Sequence, residues 1–361
     1  MPGPDRPGRS GEEGFGGEVD PGVDGAVDPA VDPAAGAAGA IAAKVSAAPP
    51  GTRGRVAGMH VVDRERLLGW LMLSPALLYI VAFVGVPFVL AILLAFSNAT
   101  IGNPRDFTFV GFANFARVIQ QPQFLMALRN SGIVTFGTLA VLVVLATAVS
   151  ELFARDFRGK RLVQVLFMLP WAMPVSLGAI NWLWLLDSQF SPIDWVFRQI
   201  GVLGPGGLFG PSMHFYYLGR ADLALASLVM VNVWRMLPLA TIIVLAGRLA
   251  IPKDRFEQAE IDGAGFWRVL VRITVPALLP VLVVAILFTG LLVIGDMATV
   301  DLLTRGGPGD STQVLPYWAF LTGIRGGDLS GGAAVALFLL PVLLAISVFV
   351  LRYAYRSEST A

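Results

Sequence analysis

Cysteine is absent from the 361 residues, and histidine occurs only twice, as His60 and His214. The first absence excludes a disulfide framework, a thiolate zinc site, an iron–sulfur cluster and a cysteine nucleophile. The second leaves little for a histidine metal site or a Ser-His triad. Charge is also scarce: 14% of residues are Asp, Glu, Lys or Arg, against roughly 25% in soluble domains. The formal net charge is +1, so no global field points to nucleic acid. No phosphate-binding loop is present, so a nucleotide would have to be bound by another chain. What is plentiful is apolar surface, with 55% hydrophobic residues and a mean hydropathy of +0.71. This composition excludes an ordinary cytosolic enzyme and leaves a polytopic membrane protein.

The apolar residues are not spread evenly. Residues 1–66 are rich in Gly, Pro, Ala and Asp and carry a short repeat, Val27-Asp28-Pro29 and Val31-Asp32-Pro33. Such a segment buries too little apolar surface to offset chain entropy, so a disordered tail is expected. It has no apolar run of the kind a secretory signal requires. Six apolar stretches follow, near 68–96, 131–151, 162–186, 222–248, 275–296 and 332–352. Each is close to or above the roughly 20 residues that cross a bilayer. The expected fold is therefore all-α, with six transmembrane helices spread over 67–355 and a short tail at 356–361. Arg64, Arg66, Arg155, Arg158, Lys160, Arg161, Arg248, Lys253, Arg255, Arg268, Arg272, Arg352 and Arg356 fall on one side of this topology. By the positive-inside rule both termini are cytoplasmic. The opposite loops hold Trp195, Tyr216, Tyr217, Tyr317 and Trp318, expected as anchors at the membrane surface. Pro75, Pro87, Pro170, Pro174, Pro238, Pro280 and Pro341 interrupt the spans, a pattern compatible with a polar pathway as well as with ordinary membrane helices.

One connection is too polar to be a simple turn. Residues 252–276 begin at Pro252, suited to a first helical turn, and Lys253 to Asp262 mixes acids and bases at helical spacing. Gly263-Ala264-Gly265 is a stop, and a basic amphipathic run from Arg268 to Ile273 leads to Pro276 and the fifth span. A helix, a tight turn and a helix make a knob with apolar points at Phe256, Ala259, Ile261 and Phe266. That shape suits a groove in a cytoplasmic partner. A plain solvated connector is the alternative.

The spacing Glu257-x-Ala259-x-x-Asp262-Gly263-Ala264, then Ile273-x-x-Pro276, resembles the signature loop of permease subunits of binding-protein-dependent ABC importers. Gln258, Leu270 and Val275 are mild departures from it. Other segments are similar to the carbohydrate-uptake branch, the permeases for maltose, trehalose, glycerol-phosphate and related oligosaccharides. They are Leu169-Pro170-Trp171-Ala172-Met173-Pro174, Trp234-Arg235-x-x-Pro238, Leu245-Ala246-Gly247, and Leu303-Thr304-x-Gly306-Gly307-Pro308. Met297-Ala298, with Asp296 one place earlier, and Ser191-Pro192 depart from that branch, which leaves the solute within it open. The resemblance implies that Phe256, Glu257, Ala259, Asp262, Gly263 and Ala264 form the coupling element for separate ATPase subunits. It also implies a second, different permease subunit, an extracytoplasmic solute-binding protein and a carbohydrate, polyol or sugar-phosphate substrate.

Within the spans, Arg235 marks either a polar pathway or a structural arginine satisfied by carbonyls freed at Pro238. Asp296 is its candidate partner, though set at a different depth. Asn181 and Asn232 suit either a cavity or helix–helix contacts, and Trp182 and Trp234 either sugar stacking or packing. Gly306-Gly307-Pro308 is expected as a turn, open to meeting the binding protein. No cofactor, metal or catalytic residue is expected. A stand-alone secondary transporter and a membrane scaffold are the competing readings; midplane acids, which the former would need, are missing.

Overall fold

The computed structural model describes residues 57–103 and 107–358. The expected tail through residue 56 and the final residues 359–361 lie outside them. The described residues fall into two units that divide between Leu77 and Leu78. Among the described residues helices dominate and no strand occurs beyond an isolated bridge between Ser97 and Phe109. The helices are α1 (Ala57–Ile80), α2 (Val86–Ala95), α3 (Ala113–Gln120), α4 (Pro122–Ala154), α5 (Lys160–Ala172), α6 (Val175–Leu185), α7 (Pro192–Gln199) and α8 (Ala221–Ala250). They continue as α9 (Asp254–Ile261), α10 (Phe266–Val269), α11 (Val275–Ile294), α12 (Ala298–Leu303), α13 (Leu315–Phe320), α14 (Leu329–Leu337) and α15 (Leu339–Glu358).

Five segments are long and apolar enough to cross a membrane: Leu68–Ala95, Pro122–Ala154, Ala221–Ala250, Phe266–Ile294 and Leu329–Phe349. A sixth arises if α5 and α6 count as one crossing, bent by 97°. Several boundaries differ from the hydropathy reading. Helix α1 starts at Ala57, inside the stretch expected to be tail. The second span starts at Pro122, where the missing donor is harmless in a first turn. The fifth reaches back to Phe266, so the basic run belongs to the spanning helix and not to a separate element. Asp328 caps α14, accepting the Gly331 N–H at 2.8 Å.

The prolines explain how the spans bend. A proline inside a helix clashes with the carbonyl four residues back. Two such clashes are absorbed by widened π-turns, Val81–Gly85 ahead of Pro87 and Leu270–Thr274 ahead of Pro276. The third span has no such relief. Met173, which precedes Pro174, is extended (φ −76°, ψ 137°), as the residue before a proline prefers to be. The helix therefore stops at Ala172 and restarts at Val175.

The main core is formed by α4, α8 and α11, through Leu142, Ala146, Leu228, Met236, Val244, Leu278 and Leu282. The segment between α11 and α14 folds back onto it, burying Val300, Leu303 and Val314. Its backbone is satisfied from α4: Asn130 Nδ2 donates to the Ser311 and Gln313 carbonyls at 2.8 and 2.9 Å, and Ser131 Oγ accepts the Leu315 N–H at 2.8 Å. Tyr317 and Trp318 are consequently buried, 1% and 5% exposed, and are not surface anchors. Gly306 is buried too, against Gln313 and Tyr317. Trp195 and Tyr216 do stand exposed. Tyr217 is half-buried with its hydroxyl oxygen inside, and burial, followed by the nearby Asp194 carboxylate, raises its pKa.

Helices α8 and α11 pack closely at Gly247, where a β-carbon would lie 2.7 Å from Val281 Cγ2. Gly247→Ala should cost about 1–3 kcal/mol through overpacking, read as a lower thermal midpoint of the detergent-solubilised chain. Val281→Ala in the same chain should return most of it. An unchanged midpoint for Gly247→Ala alone would show that the two helices separate freely.

Candidate functional site

Two polar features interrupt the apolar bundle. The first lies at the break in the third span. A cavity of about 640 Å³ elsewhere, between α4, α11 and α15, is almost wholly apolar. The one at the break is smaller, about 300 Å³, and is lined by Trp171, Met173, Val175, Arg235, Met236, Leu292 and Asp296. Arg235, halfway along α8, donates from Nη2 to Asp296 Oδ2 at 2.7 Å. The side chains are 11% and 7% exposed. The depth mismatch expected from the sequence is therefore absent, and helix register explains why. From Gly247, α8 rises about 18 Å to Arg235, and from Val281, α11 rises about 20 Å to Ile294. Asp296, just past that end, is level with Arg235.

Asp296 is held on every side. Its Oδ1 accepts the Ala298 and Thr299 N–H groups at 3.1 and 3.2 Å, and its Oδ2 accepts the Thr299 hydroxyl as well as Arg235. Arg235 also donates to Asn232 Oδ1 at 3.3 Å, while Asn232 Nδ2 donates to the Leu228 carbonyl at 3.0 Å. Asn232 is itself 1% exposed, so it orients the arginine from within the core. Arg235 Nε is buried with no hydrogen-bond partner, although the residue itself lines the cavity. Trp182 and Trp234 meet edge to face with centroids 5.7 Å apart, and Gly178 lets Trp234 lie close against α6. Asn181 is exposed on α6, its Nδ2 3.9 Å from the cavity residue Met173. Five of the six residues singled out, Asn232, Trp234, Arg235, Asp296 and Trp182, are thus linked by direct contact or adjacency, and Asn181 stands beside them. Trp171 and Met173 complete the wall; the Pro170 and Pro174 flanking them were the available signal.

The second feature is the polar knob between α8 and α11. Helix α9 ends in a Schellman turn: the Gly263 N–H donates to Glu260 O at 3.0 Å and the Ala264 N–H to Ala259 O at 2.9 Å. Gly263 has φ +69°, in the left-handed region that favours glycine. The six residues expected there divide into two sets. Phe256, Ala259 and Ala264 turn inward; Ala259 is buried and the other two half-buried. Glu257, Asp262 and Gly263 face out, together with Ile261 at 85% and Trp267 at 73% exposure. Trp267 was not singled out by spacing, since an aromatic in an amphipathic run reads equally as core. Beneath α9, a cavity of about 640 Å³ is lined by Arg255, Asp262, Arg268 and Arg272 among others. Among the described residues no cluster of metal-ligating side chains occurs.

Residues 143–357 match the family described as the binding-protein-dependent transport system inner membrane component. This is more than half of the chain, and the chain belongs to that family. It is a multi-pass membrane permease, a transport subunit of an ABC importer in which the ATPase is a separate subunit. The chain is 27% identical over 298 residues to a probable ABC transporter permease of Brucella suis, covering 82% of this chain and all of that one. It is 26% identical over 289 residues to the trehalose/maltose transport system permease protein MalF of Thermococcus litoralis, covering 80% and 94%. In fold it is similar to a chain of a bacterial ABC transporter involved in the import of the acidic polysaccharide alginate, with a TM-score of 0.69 at 20% identity over 82% and 98%. Neither a stand-alone carrier nor a scaffold is favoured beside these findings.

Removing one partner of a buried ion pair leaves the other charge stranded, at a cost of about 3–5 kcal/mol. Asp296→Ala should therefore lower the thermal midpoint in detergent sharply, and Asp296→Ala with Arg235→Met should recover most of the loss. An Asp296→Ala chain as stable as wild type would mean that Arg235 draws its support from elsewhere.

Proposed function

We propose that this chain forms half of the membrane path of a carbohydrate importer, with six crossings and both termini in the cytoplasm. The orientation is supported by the Lys and Arg residues flanking the spans on the knob's side. The observation that carries the carbohydrate reading is the cavity at the α5–α6 break. The Arg235–Asp296 pair in its wall, with tryptophans beside it, sets a polar group among flat apolar faces, the mix that sugar rings present in return. The trehalose/maltose relative supports the same class. On this reading Asn181, Trp182, Asn232, Trp234, Arg235 and Asp296 line or shape the pathway.

In the proposed mechanism a loaded binding protein docks on the extracytoplasmic side of this chain and a homologous second permease. ATP-driven closure of the ATPase subunits then moves the knob, where Glu257, Asp262, Gly263, Ile261 and Trp267 present the docking surface. Phe256, Ala259 and Ala264 seat the knob on the bundle. The cavity changes its open side as the helices follow.

Isolation from the native membrane in mild detergent should bring down an ATPase, a second permease and a binding protein. The reconstituted complex should take up an oligosaccharide from a panel that includes trehalose, maltose and uronic-acid oligomers. A chain that purifies alone, with no nucleotide hydrolysis, would overturn this reading. Gly263→Val imposes a left-handed conformation costing about 1–2 kcal/mol on a β-branched residue, at a place where a side chain meets no neighbour. Uptake should fall to background while insertion stays intact; normal uptake would remove Gly263 from the coupling element.

A further inference from the structure

We propose that Arg248 is the joint between the knob and the helix bundle, a positioning residue through which displacement of α9 reaches α8 and α4. This inference rests on the importer reading above and deepens it by naming the inner end of the coupling path. Arg248 lies in the last turn of α8. Its Nε donates to Glu151 Oε1 near the end of α4, and its guanidinium carbon sits 4.0 Å from the centroid of the Phe256 ring on α9. The arginine and glutamate side chains are 18% and 11% exposed. One side chain of α8 therefore touches both α4 and the first half of the knob.

What lies around this contact makes it decisive. Below the knob is a cavity of about 420 Å³, bordered by Glu151, Arg155, Arg248, Phe256, Glu260 and Phe266. The knob is not packed flat on the bundle there, so its attachment depends on few side chains. A second contact, Arg155 5.3 Å from the Phe266 ring, is looser and its ring is 48% exposed. Arginine is suited to the Arg248 position because a planar guanidinium can lie on an aromatic face while its edge donates to a carboxylate. A lysine ammonium is a point charge and cannot do both.

The test uses the full complex with its ATPase subunits and binding protein in proteoliposomes, read as solute transported per ATP hydrolysed. Arg248→Lys keeps the charge but loses the stack; Phe256→Leu keeps the ion pair but loses the ring. Each should lower that ratio about fivefold, the size of one partly buried cation–π contact, with ATPase subunits still present in the purified complex. Phe256→Tyr, which keeps the aromatic face, should retain the wild-type ratio. Hydrogen exchange of the purified chain needs no solute: Arg248→Lys should speed exchange at the α9 amides about fivefold while α4 is unaffected. Unchanged ratios and unchanged α9 exchange would overturn the proposal, as would loss of the ATPase subunits from both variants. A wild-type complex that takes up none of the sugars would count against the importer reading alone, because exchange at α9 still decides the joint.

Discussion

A helix crossing hydrocarbon must satisfy its own backbone, and each proline within it leaves a carbonyl unpaired and a ring in the way. Much of this structure follows from how the proline-interrupted spans meet that constraint. Where the turn widens, as before Pro87 and Pro276, the span stays continuous. Where Met173 is instead driven to an extended conformation ahead of Pro174, the helix breaks and the chain turns through 97°. The break exposes Trp171, Met173 and Val175 to the space beside Arg235 and Asp296. A cavity that meets a charged pair inside an apolar bundle is thus a consequence of one restricted dihedral.

The ion pair depends in turn on packing between α8 and α11. Gly247 has no side chain, so Val281 lies against the α8 backbone and fixes the register of the two helices. That register brings an aspartate at a helix end level with an arginine at a helix centre. The same pair of helices carries the knob at its other end, where the Schellman turn at Gly263 reverses the chain. Cavity and knob are therefore linked by one closely packed pair of helices. This arrangement suits a protein in which events on one side of a membrane must be felt on the other.

Much of the fold was legible in the residues. Apolar stretches of bilayer length marked the spans, the Lys and Arg flanks suggested their sense, and Pro252, Gly263 and Pro276 delimited the knob. The boundaries were less legible. Hydropathy falls off at Arg268 and Arg272, yet the helix continues through them to Phe266, because helical hydrogen bonding does not require apolar side chains. Tyr317 and Trp318 have the composition of surface anchors but are buried, since Asn130 and Ser131 draw their loop onto α4. No local pattern in a loop reports a hydrogen-bond donor that lies nearly two hundred residues away in the chain.

The sequence by itself determined the class of molecule: a chain with so little charge, no cysteine and repeated apolar runs can bury its backbone only as membrane helices. It also determined the knob, because a polar segment with a glycine stop between two helical halves folds locally. The tertiary structure alone decided which residues act together. Arg235 with Asp296, and Arg248 with Glu151 and Phe256, are assembled from different helices. Their meeting is set by glycine-permitted contact distances and by helix register, quantities that belong to pairs of elements and are not written in either one.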